Sequence, residues 1–186
     1  MISRFVSLFC ALLALALLNA CATTLEATTD FDRQFDFSPV RKLAILPVDR
    51  ASLSAIKVSD MQIARVDEAL RNELERKGFE VVSDAAAADA FITWHLVTEE
   101  RTDVRTYNSM SYYNCWHCGP SVSDVSVRQY TQGTFIVDLI DPVRNRSVWR
   151  SVIESRLQSN PDPGSAESAQ RRAEAARAVF DQFPPT

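Results

Sequence analysis

Hydrophobic residues along this chain fall into three spacings, and each predicts a different element. The first is an unbroken run. Phe5 to Leu18 is apolar over about fourteen residues, interrupted only by Ser7 and the small thiol Cys10. Arg4 precedes it and Leu18-Asn19-Ala20-Cys21 ends it. A membrane-spanning helix needs about 20 apolar residues, so the run has the dimensions of a signal-peptide core.

The second spacing is alternation. Asp30 to Phe37 sets Phe31, Arg33, Phe35 and Phe37 against Asp30, Asp32, Gln34 and Asp36, which predicts a half-buried strand. Ser38-Pro39 turns the chain, and Lys42 to Val48 predicts a more buried strand with Pro47 at its end or on an edge. A short strand is expected over 79–82 and a helical turn over 85–89. The strand expected over 91–98 carries apolar residues on both faces, which places it inside a sheet. Polar residues 99–107 either extend it or begin a hairpin partner, and a long loop is expected over 108–124. Val125 to Ile140 predicts a long strand. Asp141-Pro142-Val143-Arg144-Asn145 has turn chemistry, and Ser147 to Leu157 returns as the partner strand.

The third spacing is helical. Ser59-Asp60-Met61-Gln62 fits a capping box, and Ile63, Val66, Leu70 and Leu74 form one apolar stripe behind it. Lys77 suits the helix C-terminus and Gly78 the position after it. Asp162-Pro163-Gly164-Ser165 opens a last helix with Pro163 at the first helical position. Its stripe is Ala169, Ala173, Ala176, Phe180 and Phe183. Two stripes must be buried, so the element order predicts an α+β fold: a mixed or mainly antiparallel sheet with two amphipathic helices packed on one face.

The first run also carries chemistry. Leu18, Ala20 and Cys21 stand in the pattern of a bacterial lipobox, so Cys21 is expected to be lipidated after cleavage behind Ala20. The expected organisation is a signal peptide over 1–20, a tether over 21–29 and one domain over 30–186. Ala22 rather than Asp follows the cysteine, which by analogy with lipoprotein sorting points to the outer membrane, facing the periplasm. Cleavage removes one charge, Arg4, and takes the net charge from −4 to −5. A mildly acidic body argues against nucleic acid as a partner and against an electrostatic hold on anionic lipid. The expected partners are the membrane, through the N-terminal lipid, and an envelope protein; the oligomeric state stays open.

Four stretches carry a family resemblance. They are Asp30-Phe31-Asp32 through Phe35-Asp36-Phe37-Ser38 with Lys42-Leu43-Ala44-Ile45-Leu46-Pro47, and Glu73-Leu74-Glu75-Arg76-Lys77-Gly78-Phe79. The others are Gly133 to Asp141 with Ser147-Val148-Trp149-Arg150, and the Ala-rich last helix ending Phe183-Pro184-Pro185. With these the chain resembles the DUF4136 lipoprotein family, a domain of unknown function, from about residue 29 to the end. The resemblance implies no enzymatic activity and no cofactor.

The loop over 108–124 departs from that pattern with Cys115-Trp116-His117-Cys118. Of four cysteines, these two are the thiols left once Cys10 is removed and Cys21 acylated. A short structural disulfide is the leading expectation in an oxidising compartment. A redox pair needs a thiolate at a helix N-terminus, and Pro120 opposes such a helix. Zinc needs four ligands, and the sequence offers one CxxC, His117 and the distant His95. Haem attachment needs a histidine where Gly119 stands. Tyr107, Tyr112, Tyr113, Trp116 and His117 make this loop a candidate recognition surface, or else fold back over the sheet. His95, Trp94 and Trp149 are expected in the core, and Asp138 either pairs with Arg150 across the hairpin or faces water. No catalytic motif and no metal site emerges, so the expected function is a non-enzymatic binding or envelope-assembly accessory. The alternatives are a thiol- or metal-linked accessory using Cys115 and Cys118, or a carrier for a small apolar ligand.

Overall fold

The computed structural model describes residues 25–50, 53, 58–108, 123–158 and 161–185. Among these residues six strands and two helices follow in the order β1 (Ala27–Phe31), β2 (Lys42–Ile45), α1 (Asp60–Arg76), β3 (Glu80–Val81), β4 (Ala90–Asn108), β5 (Ser123–Asp141), β6 (Arg146–Arg156) and α2 (Ala166–Phe180), with a 3-10 turn at Ala85–Ala87. They form one sheet in the order β1-β6-β5-β4-β2-β3. The β1–β6, β6–β5 and β5–β4 pairs are antiparallel, whereas β2 runs parallel to both β4 and β3. This is the mixed sheet of an α+β fold, and β4 lies inside it as its two-sided apolar pattern predicts.

Strand register sorts the side chains into two faces. Ile92, Leu139 and Trp149 are level with one another, as are Trp94, Val137 and Ser151, and Leu96, Phe135 and Ile153. Side chains in such rows share a face. Both helices pack on it. The Trp94 indole Nε1 donates to Asp67 Oδ1 of α1 at 2.8 Å, and Trp149 stacks on Phe180 of α2 with ring centroids 5.8 Å apart. Leu70 and Leu74 of α1, and Ala176, Val179 and Phe180 of α2, complete the core. Trp94 and Trp149 are core residues, as expected.

The capping chemistry of α1 is realised as the sequence predicts. The Ser59 side chain accepts from the Gln62 amide at 3.3 Å, and the Gln62 side chain accepts from the Ser59 amide at 2.9 Å. At the other end Gly78 has φ of +92°, a left-handed conformation open to glycine, and the Phe79 amide donates back to the Leu74 carbonyl at 3.1 Å. The β5–β6 turn also keeps its predicted place. Asp141 accepts from the Val143 amide at 2.9 Å, and Asn145 takes φ of 48°.

Three expectations need correction. The strand expected over 30–37 begins earlier and stops at Phe31, so β1 occupies part of the stretch read as tether. Asp32 and Asp36 end it: their carboxylates accept from the amides of Gln34 and Ser38, each at 2.9 Å, and hold two successive turns. Phe35 and Phe37 still pack against the core, with Phe35 against Phe37 at 4.8 Å and Phe37 against Phe183 at 6.5 Å, whereas Phe31 is exposed. Second, α2 starts at Ala166 behind the Ser165 cap, so Pro163 lies outside the helix. Ala169 and Ala173 of its expected stripe are exposed. They line a surface groove of about 310 Å³ between α1 and α2, together with Arg65, Arg76, Arg172 and Arg177. Only the C-terminal half of α2 reaches the sheet. Third, His95 is half-buried on the face opposite the helices.

Candidate functional site: an uncovered sheet face and a protruding ribbon

Among the described residues no helix covers the second face of the sheet. Thr93, His95, Ile136 and Val152 lie half-buried there, with Val97 exposed at its margin. At its centre Asp138 of β5 stands opposite Arg150 of β6. The carboxylate is buried and the guanidinium grips it with two bonds, Nε to Oδ1 at 2.8 Å and Nη2 to Oδ2 at 2.9 Å. The Ser147 hydroxyl donates to the same carboxylate at 2.6 Å. Bonding to Asp138 raises the Arg150 pKa beyond its ordinary value. Of the two expectations for Asp138, the pairing with Arg150 holds.

The β4–β5 pair continues well past the rest of the sheet. β6 leaves β5 at the Gln132–Arg156 pair, whereas β4 and β5 stay paired out to Asn108 and Ser123. The polar stretch after Thr98 thus extends β4, and the two strands project as a ribbon that no other described strand joins. Its base is fastened by side chains. Arg156 lies over the Tyr130 ring at 3.8 Å and within 3.7 Å of Asp103, which also pairs with Arg105 at 3.2 Å. The Thr131 hydroxyl donates to Glu100 at 2.7 Å. Gly133 sits where the ribbon starts, and a Cβ there would come within 2.7 Å of Leu157 Cδ2. The missing side chain lets Leu157 fold across the base. Further out, Val104 and Val127 face each other in register, each 58% exposed.

A second surface groove, of about 660 Å³, lies between the Phe31-to-Ser38 turns and Pro184-Pro185, with Asp32, Asp36, Arg33 and Arg41 on its walls. Both grooves are rimmed by charged side chains. Among the described residues no group of three or more His, Cys, Asp or Glu is placed to hold a metal ion. No helix among them is long and apolar enough to cross a membrane.

The site residues expected from the sequence fall mostly elsewhere. Cys21, Cys115, Cys118, Tyr112, Tyr113, Trp116 and His117 lie outside the described residues. Tyr107 belongs to β4, near the ribbon's far end. The sequence leaves open whether 99–107 extends β4 or begins a hairpin partner, because none of residues 100–105 and 126–131 is fully buried and no apolar alternation marks the ribbon. The signal that was available is the run of β-compatible residues on both sides of the loop, such as Thr102, Val104 and Thr106 opposite Val125 and Val127.

Comparison with known proteins agrees with this fold. A PDZ domain protein from Parabacteroides distasonis shares it with a TM-score of 0.54 at 15% identity, over 88% of this chain and 36% of that one. The chain therefore spans about a third of that protein's length. A DUF4136 family protein from Bacteroides thetaiotaomicron aligns with a TM-score of 0.45 at 17% identity, over 87% of this chain and 95% of that one. No curated protein matches in sequence. The family described as a domain of unknown function, DUF4136, matches residues 27–185, from the first residue of β1 to Pro185, and the chain belongs to it.

Proposed function

We propose that this protein is a non-enzymatic lipoprotein of the bacterial envelope, held by lipid on Cys21 and binding a protein partner through its uncovered sheet face. The observation that carries the reading is the order of segments. A signal-length apolar run ends in Leu18-Asn19-Ala20-Cys21, and Leu25, four residues later, already packs against the core. A diacylated cysteine supplies a firm hold where one acyl chain gives a marginal one, at about 0.8 kcal/mol per buried CH₂. Ala22 after the cysteine favours the outer membrane, with the domain in the periplasm. Half-buried Ile136 and Val152 offer a partner apolar contact, with His95 and Thr93 as polar neighbours, beside a fixed ion pair.

Fractionation of the native host tests the anchor. Wild-type protein is expected in outer-membrane fractions with an acylated N-terminus by intact mass, and Cys21→Ser, carried behind an ordinary cleavable signal peptide in place of residues 1–20, as a soluble periplasmic protein. Cys21→Ser protein that stays membrane-bound overturns the anchor. Crosslinking in cells tests the surface: His95→Glu is expected to lose a crosslinked partner that wild type retains, at unchanged melting temperature.

A further inference from the structure

The position of Cys21 and the direction of the ribbon restrict how the domain can sit on a bilayer. β1 is antiparallel to β6, and β6 to β5, so β1 and β5 run the same way. Ala27 is level with Ile153, Phe135 and Leu96. The chain before it therefore leaves the sheet at the end from which the ribbon projects, with Leu25 near the level of Thr98 and Gly133. From Thr98 the ribbon continues ten residues to Asn108, about 33 Å at roughly 3.3 Å per residue. Twist of about 20–25° per strand turns β5 some 45° from β1, which leaves about 23 Å of projection along β1.

The tether is shorter than that. Three residues separate Leu25 from Cys21, and the four steps between the two span at most about 14 Å fully extended. An orientation with the ribbon pointing away from the bilayer fails as well. It would place the Phe31 end of the sheet, six residues or about 20 Å from Leu25, between Leu25 and the lipid. Pointing straight down, the ribbon would drive Arg101, Asp103, Arg105 and Arg128 toward the hydrocarbon, which charged side chains oppose. A tilted domain with the ribbon laid on the surface satisfies all three limits.

We infer that the β4–β5 ribbon is a membrane-contacting arm that rests on the bilayer interface, an inference that depends on lipidation of Cys21. The surface suits that occupant. Val104 and Val127 give it an exposed apolar pair. Over 100–108 and 123–131 the charges Arg101, Arg105 and Arg128 balance Glu100, Asp103 and Asp124, so the arm needs no anionic lipid. Its arginines have stems long enough to lie along an interface with their charge in water.

Hydrogen exchange on the full-length acylated protein in phosphatidylcholine vesicles tests this, with Cys21→Ser in the same buffer as the soluble reference and intact mass as the record of acylation. Amides of 100–105 and 126–131 are expected to exchange at least tenfold more slowly in the vesicle-bound protein, with α1 and α2 unchanged. Adding 30% phosphatidylglycerol is expected to change nothing. Val104→Thr combined with Val127→Thr, β-branched replacements on exposed positions that keep the strand pairing, is expected to return the ribbon toward its soluble rate at unchanged melting temperature. Acylated, vesicle-bound protein whose ribbon exchanges at the Cys21→Ser rate overturns the arm, and so does protection that appears only with anionic lipid. A mass without acyl chains on Cys21 overturns the anchor itself, and the mass record tells this failure from the others.

Discussion

Asp138 and Arg150 meet side by side across β5 and β6, joined by two hydrogen bonds on the face the helices leave open. The carboxylate is 3% exposed and the arginine far more so. The pair is therefore unequal. Arg150 can regain water if its partner is lost, whereas Asp138 cannot.

This asymmetry predicts the order of two substitutions. Arg150→Ala leaves a buried carboxylate with the Ser147 hydroxyl in place of a cation and should lower stability by about 2–3 kcal/mol. Asp138→Asn keeps an acceptor for Ser147 and strands only an exposed arginine, so its cost should be smaller, about 1 kcal/mol. Arg150→Lys should not restore wild-type stability, because an ammonium lacks the two-pronged geometry. Urea unfolding of the three variants reads the order directly, and equal losses for Arg150→Ala and Asp138→Asn would contradict it.

Gly133 and Leu157 form a second coupled pair. Gly133→Ala places a Cβ within 2.7 Å of the Leu157 side chain, which is 38% exposed and free to swing aside. The expected loss is about 1 kcal/mol. Leu157→Ala in the same chain should remove most of the additional cost, since it deletes the atoms that clash. A double-mutant cycle by thermal unfolding measures the coupling, and strict additivity would show that the glycine serves another purpose.

Asp89 links acid stability to one junction. Its carboxylate accepts from the amides of Lys42 at 2.7 Å and Arg41 at 2.9 Å, where β2 begins. Those bonds, Lys42 first, hold its pKa below the ordinary 3.8, with lesser help from the charges of both residues. A depressed folded-state pKa contributes stability that is present above the unfolded value and lost as pH falls through the folded one. Asp89→Ala should therefore lower the melting temperature at pH 7, by an amount near the low end for charged hydrogen bonds because the group is exposed. The gap to wild type should close as pH drops below about 3.8. A gap that persists unchanged to pH 2 would assign the effect to packing.

Ser151 makes the opposite kind of prediction. It lies on the helix-facing side of β6, level with Val137, fully buried, and its hydroxyl has no partner among the described residues, as is true of the nearby Trp149 indole nitrogen. An unpaired buried hydroxyl costs free energy. Ser151→Ala should be neutral or stabilising by up to about 1 kcal/mol, against the destabilisation common for buried positions. A clear loss in chemical unfolding would mean that the hydroxyl is paired in solution.

What could be read in the sequence depends on which residues see the core. The α1 boundaries were legible because capping and burial agree there: Ser59, Gln62 and Gly78 fix the ends of a helix whose Leu70 and Leu74 are buried. The β5–β6 hairpin was legible for the same reason. Asp30 to Phe37 misled because its alternation is real but its aspartates prefer local amides to a strand partner. The α2 stripe misled because alanine marks an apolar face without showing how close the sheet comes. The site was less legible than the fold. Asp138 and Arg150 could be paired from their places in facing strands, but none of residues 100–105 and 126–131 is fully buried, so the sequence left the extension of β4 beside a new hairpin strand as an open choice.

The first strand and the last residues of the chain are joined. β1 pairs with β6, the Thr29 hydroxyl bonds Gln182 at 2.6 Å, and Phe37 packs on Phe183. Because a polypeptide emerges N-terminus first, β1 has no partner until nearly all of the rest has been made. The segment nearest Cys21 is thus the last to dock, and it gains its place only in a completed molecule. A chain cut short before β6 would keep those first residues as loose coil and give the domain a longer leash.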